Sequence, residues 1–428
     1  MPNPPPPGAT WTTRVEPGRG RCLVAATDLP AGAIALAEAP IVWWVDARAQ
    51  GAVCTHCLKP IVAGSGISCA ASGQAYWCGA ACAAADAERH GRVRELLAPV
   101  TKLRDTDPEW TRLTPDERDE AVTLLHLVAH AVALRAADDP AFTLLWDQAG
   151  DVPLSSLDEA QCSLVLSALR AAAPECAAAA ASWLDLDFVR GIDQRDKANT
   201  FAITVTAAAG DDDASERRPH AFGVYPHLTQ SNHSCLPTVA RFDEIDGGDR
   251  PRHAAPPAGA SVGVLRDCAN DAAALARPPC SLAMRYVTLH AVPAGEELMP
   301  SYVPLGDPEP ERRSHFASEY GFRCRCRRCA LEGADGPTEG PAEGEGGGGG
   351  EDDVDLTYVA LFVLKHTCPA CMGCMAPLGA ADAAPCVCNR CGNERSQQEF
   401  IERVEAYFAA EGDEDDNNED AGCGDTCC

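Results

Sequence analysis

Twenty-three cysteines constrain this chain more than any other feature. They are not spread evenly. Tight groups stand out: Cys54-Thr-His-Cys57 with Cys78-Gly-Ala-Ala-Cys82, Cys324-Arg-Cys326-Arg-Arg-Cys329, and Cys368-Pro-Ala-Cys371 with Cys388-Asn-Arg-Cys391. The count is odd, and the N-terminus (Pro2, Pro4, Pro5, Pro6, Pro7) lacks the basic-then-apolar order of a secretory signal. Both facts argue against a disulfide framework. Neighbouring cysteines in C-x-x-C and C-x-C turns rarely bridge each other. Tetrahedral zinc, by contrast, needs four thiolate or imidazole ligands, and short turns deliver them in pairs. The sequence therefore reads as an intracellular multi-zinc protein of the cytoplasm and/or nucleus.

Charge narrows the partners. The net charge is −28, but residues 331–355 and 411–428 hold 17 acidic side chains and no Lys or Arg, which leaves about −11 on the remaining body. No basic stripe of a nucleic-acid binder is present, so no direct nucleic-acid contact is expected. A cationic protein tail suits this field better. No apolar run reaches the roughly 18 residues of a membrane span, so no membrane association is expected. The 428 residues allow two or three domains.

The chain divides by composition. Residues 1–10 form a Pro-rich leader expected to be disordered. Residues 11–50 read as short strands and turns, 51–94 carry the first Cys/His cluster, and 95–198 are helical. Thr114-Pro115-Asp116-Glu117 is a helix start: cap, proline at the first position, capping-box glutamate. Ala121, Leu124, Leu125, Val128 and Val132 follow at helical spacing. A second helix is expected from near Ser156, with Leu157, Ala160, Leu164 and Ala168 as its apolar face. Residues 199–303 return to strand patterns, interrupted at 245–280 by a Pro/Ala/Gly/Asp-rich stretch read as an insertion in a hairpin. The second cysteine cluster lies in 304–330. An acidic Gly-rich linker (331–355) leads to a ribbon-like segment (356–410) with the third cluster and a short helix at about 396–410. The acidic tail (411–428) holds Cys423, Cys427 and Cys428, read as unstructured thiols.

The first cluster resembles the MYND zinc finger, which interleaves two zinc sites. In that pattern Cys54, Cys57, Cys78 and Cys82 hold one zinc. The second site would use Cys69 and His90, but its other two positions are Ser72 and Arg94, so one intact and one degenerate site are expected. His56 is read as an exposed turn residue. The second cluster has three cysteines, Cys324, Cys326 and Cys329, and the motif below offers Cys235 as the fourth. Cys368, Cys371, Cys388 and Cys391 form the third, with Cys374 and Cys386 as competing ligands.

Five further motifs occur in order: Gly18-Arg19-Gly20, Ser231-Asn232-His233-Ser234-Cys235-Leu236-Pro237, Gly295-Glu296-Glu297-Leu298, Ser301-Tyr302, and Tyr320-Gly321-Phe322. Each is weak alone. Together, with the finger interposed after the first strands, they resemble the SET-and-MYND family of protein lysine methyltransferases over about residues 11–330. The resemblance implies an α+β architecture: a SET-type β-fold with a pseudoknot, an inserted MYND-like finger at 51–94, a helical insert at 95–198, a core SET domain at 199–303, a post-SET zinc cluster at 304–330 and a C-terminal zinc knuckle. It implies S-adenosyl-L-methionine and Zn2+ as cofactors. Gly18, Arg19, Gly20, Asn232, His233, Tyr302 and Phe322 would hold S-adenosylmethionine. Tyr302 would be the catalytic tyrosine, and Phe201, Tyr225 and Tyr320 would wall a lysine channel. Glu296 and Glu297 are assigned a structural turn. The substrate would be a protein with an accessible lysine, histone or non-histone, and the finger would offer a site for a proline-rich partner. The competing reading is an idle SET/MYND zinc-rich adaptor in transcriptional regulation. It predicts no binding of S-adenosylmethionine.

Overall fold

The computed structural model describes residues 8–62, 64, 66–172, 180–203, 220–243, 282–333 and 354–419. Most of the leader, the insertion at 245–280, most of the 331–355 linker and the tail cysteines Cys423, Cys427 and Cys428 lie outside the described residues.

Four short strands come first: β1 (Trp11–Glu16), β2 (Gly20–Ala25), β3 (Ile34–Glu38) and β4 (Val42–Val45). β1 and β2 form an antiparallel hairpin with Trp11 opposite Ala25. Gly18 and Gly20 turn it at φ of 78° and 77°, a conformation glycine adopts without steric penalty. The finger follows, with β5 (Ile67–Ser68) paired to β6 (Tyr76–Trp77), then α1 (Ala80–Ala85) and α2 (Ala87–Leu97).

The helical insert comprises α3 (Val100–Thr106), α4 (Pro108–Thr111), α5 (Pro115–Ala136), α6 (Pro140–Trp146), α7 (Ser156–Ala172) and α8 (Leu186–Asn199). The start of α5 is the expected capping box: the Glu117 amide donates to Thr114 Oγ1, and the Thr114 amide donates to the Glu117 carboxylate. Its face of Ala121, Leu124, Leu125, Val128 and Val132 is buried. α7 begins at Ser156 as expected, but its buried face differs. Gln161, Cys162, Val165, Leu166, Ala168 and Leu169 point inward, whereas Ala160 is exposed and Leu157 and Leu164 are only half-buried. An alanine offers too little apolar area to set a helix's rotation, and Val165, Leu166 and Leu169 prevail.

Then come β7 (Thr200–Ile203), β8 (Ala221–Val224), β9 (Val239–Asp243) and β10 (Met284–Thr288). They form two three-stranded sheets with the opening strands, ordered β4-β8-β7 and β3-β10-β9. The 295–303 segment is extended without being a full strand. It lies antiparallel to β2, with the Ala25 amide donating to Glu296 O (2.8 Å) and the Leu298 amide to Leu23 O (2.7 Å). α9 (Glu309–His315), a π-turn at Phe316–Tyr320 and α10 (Arg327–Glu332) carry the second cysteine cluster.

The C-terminal module is α11 (Leu356–His366), β11 (Met375–Pro377), β12 (Cys386–Cys388), β13 (Glu394–Arg395) and α12 (Gln397–Glu419), the last running past the expected end near 410. This module packs on the body. Phe362 and Ala376 share an apolar cluster with Ala240, Val287, Leu289 and Leu305 of the β9/β10 region. Burying a side chain such as Phe362 contributes about 1.5–3 kcal/mol. The approach is close: a Cβ on Gly32 would lie 2.5 Å from Pro377 O. Two larger cores hold the rest. One joins the helices to Trp44, and one fills the space among β1–β4, Tyr225, Met284 and Leu298. The described residues are thus an α+β arrangement of helices and five small sheets.

Candidate active site

Three sets of four cysteines are brought together. Within each of Cys54/Cys57/Cys78/Cys82, Cys235/Cys324/Cys326/Cys329 and Cys368/Cys371/Cys388/Cys391, all sulfurs lie within 4.8 Å of one another. Sulfur–sulfur distances are 3.8 Å for Cys57–Cys78, 3.5 Å for Cys235–Cys329 and 3.6 Å for Cys368–Cys391. With zinc–sulfur bonds of about 2.3 Å, a tetrahedron has edges of about 3.8 Å, so the donor sets fit that ion. None of these cysteines is in a disulfide. Around the second set, Arg312 is 1% exposed and donates toward Cys329 Sγ at 3.7 Å. A buried guanidinium aimed at a sulfur suits a thiolate and not a thiol. Cys374 and Cys386 stand outside the third set, and burial pushes the Cys374 thiol up to about 12.

Cys69 and His90 are not in a four-ligand set among the described residues. His90 is buried, with Nε2 3.5 Å from Ser72 Oγ and its ring edge on Trp77. Cys69 is held low by Ser72, by its neighbouring backbone and by Arg94, against the raising effect of burial. His56 is not free in solvent: its side chain is 20% exposed, and Nδ1 is 3.8 Å from Asp86 Oδ1.

The second cysteine set anchors the motifs that point to chemistry. Residues 231–238 and 297–302 run side by side, through the Ser234 amide to Pro300 O and the Thr238 hydroxyl to Glu297 O. This places His233 beside Tyr302. The Tyr302 amide donates to His233 Nδ1 at 3.0 Å, which leaves the proton on Nε2, 3.2 Å from Cys235 Sγ. The imidazole therefore ties the tyrosine segment to the cysteine cluster. Burial pushes His233 down to about 4, so it is neutral. Its ring stacks among Tyr302, Phe316 and Phe322 at centroid distances of 5.2, 4.3 and 6.2 Å.

Tyr302 is 36% exposed, while its hydroxyl donates to the carbonyl of buried Ser231 at 2.6 Å. Burial, then Tyr286, Tyr320 and Glu297, push this phenol well above its ordinary range. Tyr320 lies 5.0 Å from it, ring to ring, and is 49% exposed. Phe201 and Tyr225 form a separate edge-to-face pair at 5.7 Å. Tyr225 is fully buried and its hydroxyl donates to Leu282 O, so it stands behind Phe201 in the core and not in an open wall. Arg241 lies over Phe201 at 5.1 Å and pairs with Asp243.

On the other side of Ser231 a polar cluster forms. Asn232 Nδ2 donates to Glu297 Oε1 at 2.7 Å and approaches Cys22 Sγ at 3.2 Å. Arg19 pairs with Glu297 at 2.7 Å and with Glu16 at 3.1 Å. Burial and the carboxylates of Glu297 and Glu16 push the Cys22 thiol up to about 12, so it is protonated. Sequence reasoning missed Glu297 and Cys22. The sequence reads Glu297 as a turn residue, whereas the structure sets its carboxylate on Asn232 and Arg19 from an extended segment beside β2. Gly18 and Gly20 face open space, with no atom within 4 Å of a Cβ built on either.

No family model matches the sequence. The histone-lysine N-methyltransferase ASHR2 of Arabidopsis thaliana is 25% identical over 419 residues, covering 89% of this chain and 94% of that one. The similarity to this methyltransferase thus extends over most of the chain. A solved structure, the SET domain of LSMT bound to lysine and AdoHcy, matches at 12% identity with a TM-score of 0.28 over 74% of this chain. This match spans 53%, about half, of that solved chain. No helix among the described residues is long and apolar enough to cross a membrane.

Proposed function

We propose that this chain is a protein-lysine N-methyltransferase that uses S-adenosylmethionine and acts on a lysine of a histone or non-histone protein. One observation carries the reading: Arg19, Asn232, His233, Glu297 and Tyr302, from well-separated segments, meet around Ser231. The relative that matches along the chain bears the same activity in its name. In this reading residues 51–94 are a MYND-like insert, 304–330 a post-SET region, and the 231–238 and 297–302 crossing a pseudoknot.

The donor set fits the cofactor. An amino-acid zwitterion needs a cation for its carboxylate and acceptors for its ammonium. Arg19 supplies the first, Glu297 and the Asn232 carbonyl the second. The open φ-positive turn at Gly18 and Gly20 leaves room for close backbone approach, and Phe322 offers a face for adenine. When bound, the cofactor supplies a methyl group on a sulfonium, poised for in-line transfer to a neutral amine. Free lysine, at about pKa 10.4, is almost wholly protonated at pH 7, and an aromatic surround such as Tyr302, Tyr320 and Phe201 disfavours the ammonium. Tyr302 keeps its proton, so its hydroxyl orients the amine and does not abstract from it. Tyr225 braces Phe201 from behind. Zinc at Cys235, Cys324, Cys326 and Cys329 would fix His233 and the Tyr320–Phe322 turn over the site.

Tyr302→Phe tests the role of the hydroxyl. Transfer to a lysine peptide should fall about 10²-fold, with S-adenosylmethionine affinity within about twofold. Unchanged turnover would remove Tyr302 from the chemistry.

A further inference from the structure

Glu38 ends β3 and is fully buried. Among the described residues its only acid–base neighbour within ion-pair distance is His227. The carboxylate is satisfied instead by the chain that leads into the candidate site. The His227 amide donates to both of its oxygens at 3.1 and 3.2 Å, and the Leu228 amide donates to Oε2 at 3.0 Å. His227 Nδ1 lies 2.9 Å from Oε1, and the Trp11 ring covers the imidazole at 4.6 Å between centroids. A buried carboxylate is costly unless its oxygens are bonded, so this joint is held in one arrangement.

The joint is connected to Tyr302 by a short chain of hydrogen bonds. The carbonyl of Leu228, whose amide Glu38 holds, accepts the Ser231 hydroxyl at 2.7 Å and the Ser231 amide at 3.2 Å. The buried Tyr286 hydroxyl, on β10, lies 2.8 Å from Ser231 Oγ. The one Ser231 hydroxyl proton is on Leu228 O, so Tyr286 is the donor in that contact. The Ser231 carbonyl in turn accepts the Tyr302 hydroxyl at 2.6 Å. A carbonyl only accepts, so the Tyr302 proton is committed and its oxygen is left to accept. An amine N–H aimed at that oxygen keeps the nitrogen lone pair free to attack. A hydroxyl proton turned toward the nitrogen would occupy that lone pair.

We infer that Glu38 is a positioning residue for the transfer. Through the Leu228–Ser231 turn it sets where the Ser231 carbonyl stands, and so holds the Tyr302 hydroxyl in its accepting orientation. His227 and Tyr286 brace the two ends of this link. The effect falls on turnover more than on cofactor binding, because Asn232, the next residue, has its own anchor in Glu297 at 2.7 Å. This rests on the methyltransferase reading.

The test is a mutant cycle on zinc-replete full-length protein, with labelled S-adenosylmethionine and a lysine peptide. Glu38→Gln keeps the shape but sets an NH2 against one of the N–H groups that the carboxylate receives. Rates are normalised to the fraction of protein that binds cofactor, so misfolded chains do not count. Glu38→Gln should lower kcat about tenfold, with cofactor affinity within about twofold. In the Tyr302→Phe background the same change should cost less than about twofold more, because the hydroxyl that it orients is gone. Tyr286→Phe removes only the hydroxyl on Ser231 and should show the same pattern at about threefold, so it carries the cycle if Glu38→Gln does not fold. An equal loss in both backgrounds would mean a merely structural role and overturns the inference, as does an unchanged kcat. Either result leaves the enzyme reading intact. Wild-type protein that binds no cofactor and transfers to no lysine overturns the enzyme reading, and the positioning role falls with it.

Discussion

The finger and the C-terminal module each present four cysteines, yet the balance of polar and apolar contacts in their docking differs. The finger adds a buried polar network to the apolar contacts that Val53, Leu58 and Val93 make with the two larger cores. Arg89 donates to Trp43 O, Thr55 O and Asp86, lies over the Trp43 ring and reaches His130. Asp86 also receives Trp77 Nε1 at 2.8 Å, and His126 sits between Gln50 and Gln74. The C-terminal module docks through the Phe362 and Ala376 cluster, the close approach at Gly32 and the Asn389 bond to Arg241 O. A buried polar network is satisfied in one arrangement only, whereas an apolar face tolerates small shifts. The finger is thus seated by a polar network added to apolar contacts, and the C-terminal module chiefly by an apolar cluster and one close backbone approach.

The largest effect separating the two comes from metal. Structural zinc contributes on the order of 10–16 kcal/mol to the folding of small zinc modules. If all three cysteine sets hold zinc, Cys57→Ser and Cys371→Ser should each lower the zinc content by one equivalent, read by elemental mass spectrometry. The finger variant should also lower the global melting temperature, because its docking network goes with it. The C-terminal variant should leave cofactor affinity within about twofold. Equal global destabilisation by both would erase the contrast.

The next effect is Asp86→Ala. Burial alone would raise this carboxyl, but bonds from His56, Arg89 and Trp77 and the Arg89 charge hold it well below the usual carboxylate range. Removing it strands a buried guanidinium, at about 3–5 kcal/mol in denaturant titrations. A loss under 1 kcal/mol would show that the network is not what seats the finger.

Acid should loosen the same network. Burial pushes His126 down to about 3 and His130 well below its ordinary value, so both are neutral in the folded protein. The unfolded chain binds more protons between the two sets of values, so stability rises with pH there. The contribution is complete above about pH 6.5 and is lost as pH falls from there toward 3. The limiting slope is about 1.4 kcal/mol per pH unit for each histidine. Replacing both by glutamine should flatten it, and an unchanged slope would assign the acid sensitivity elsewhere.

Gly32→Ala probes the other interface. The glycine has φ of 72°, and the new methyl would meet Pro377 O and Gly379. A cost of about 1–3 kcal/mol is expected, with the C-terminal module becoming more susceptible to proteolysis while the finger is not. Uniform protection would mean that the module does not depend on this contact.

Legibility in the sequence followed the range of the interactions. The Thr114–Glu117 cap, the Ser156 start and the cysteine spacings are local and were readable. The rotation of α7 was not, because alanines at helical spacing do not distinguish faces. The docking of the third cluster was hidden behind a glycine linker that suggests independence, and it rests on contacts hundreds of residues apart, such as Gly32 with Pro377. At the candidate site the ordered motifs named Arg19, Asn232, His233 and Tyr302. Glu297 and Cys22 emerged only when the 295–298 segment was seen lying along β2.

The central claim is that these residues hold S-adenosylmethionine. Isothermal titration of zinc-replete protein, beside Asn232→Ala, tests it most directly. Saturable micromolar binding by the wild type, lost in the variant, is the predicted result. Folded, zinc-loaded protein that binds no cofactor would contradict the claim and leave a zinc-rich adaptor as the better account.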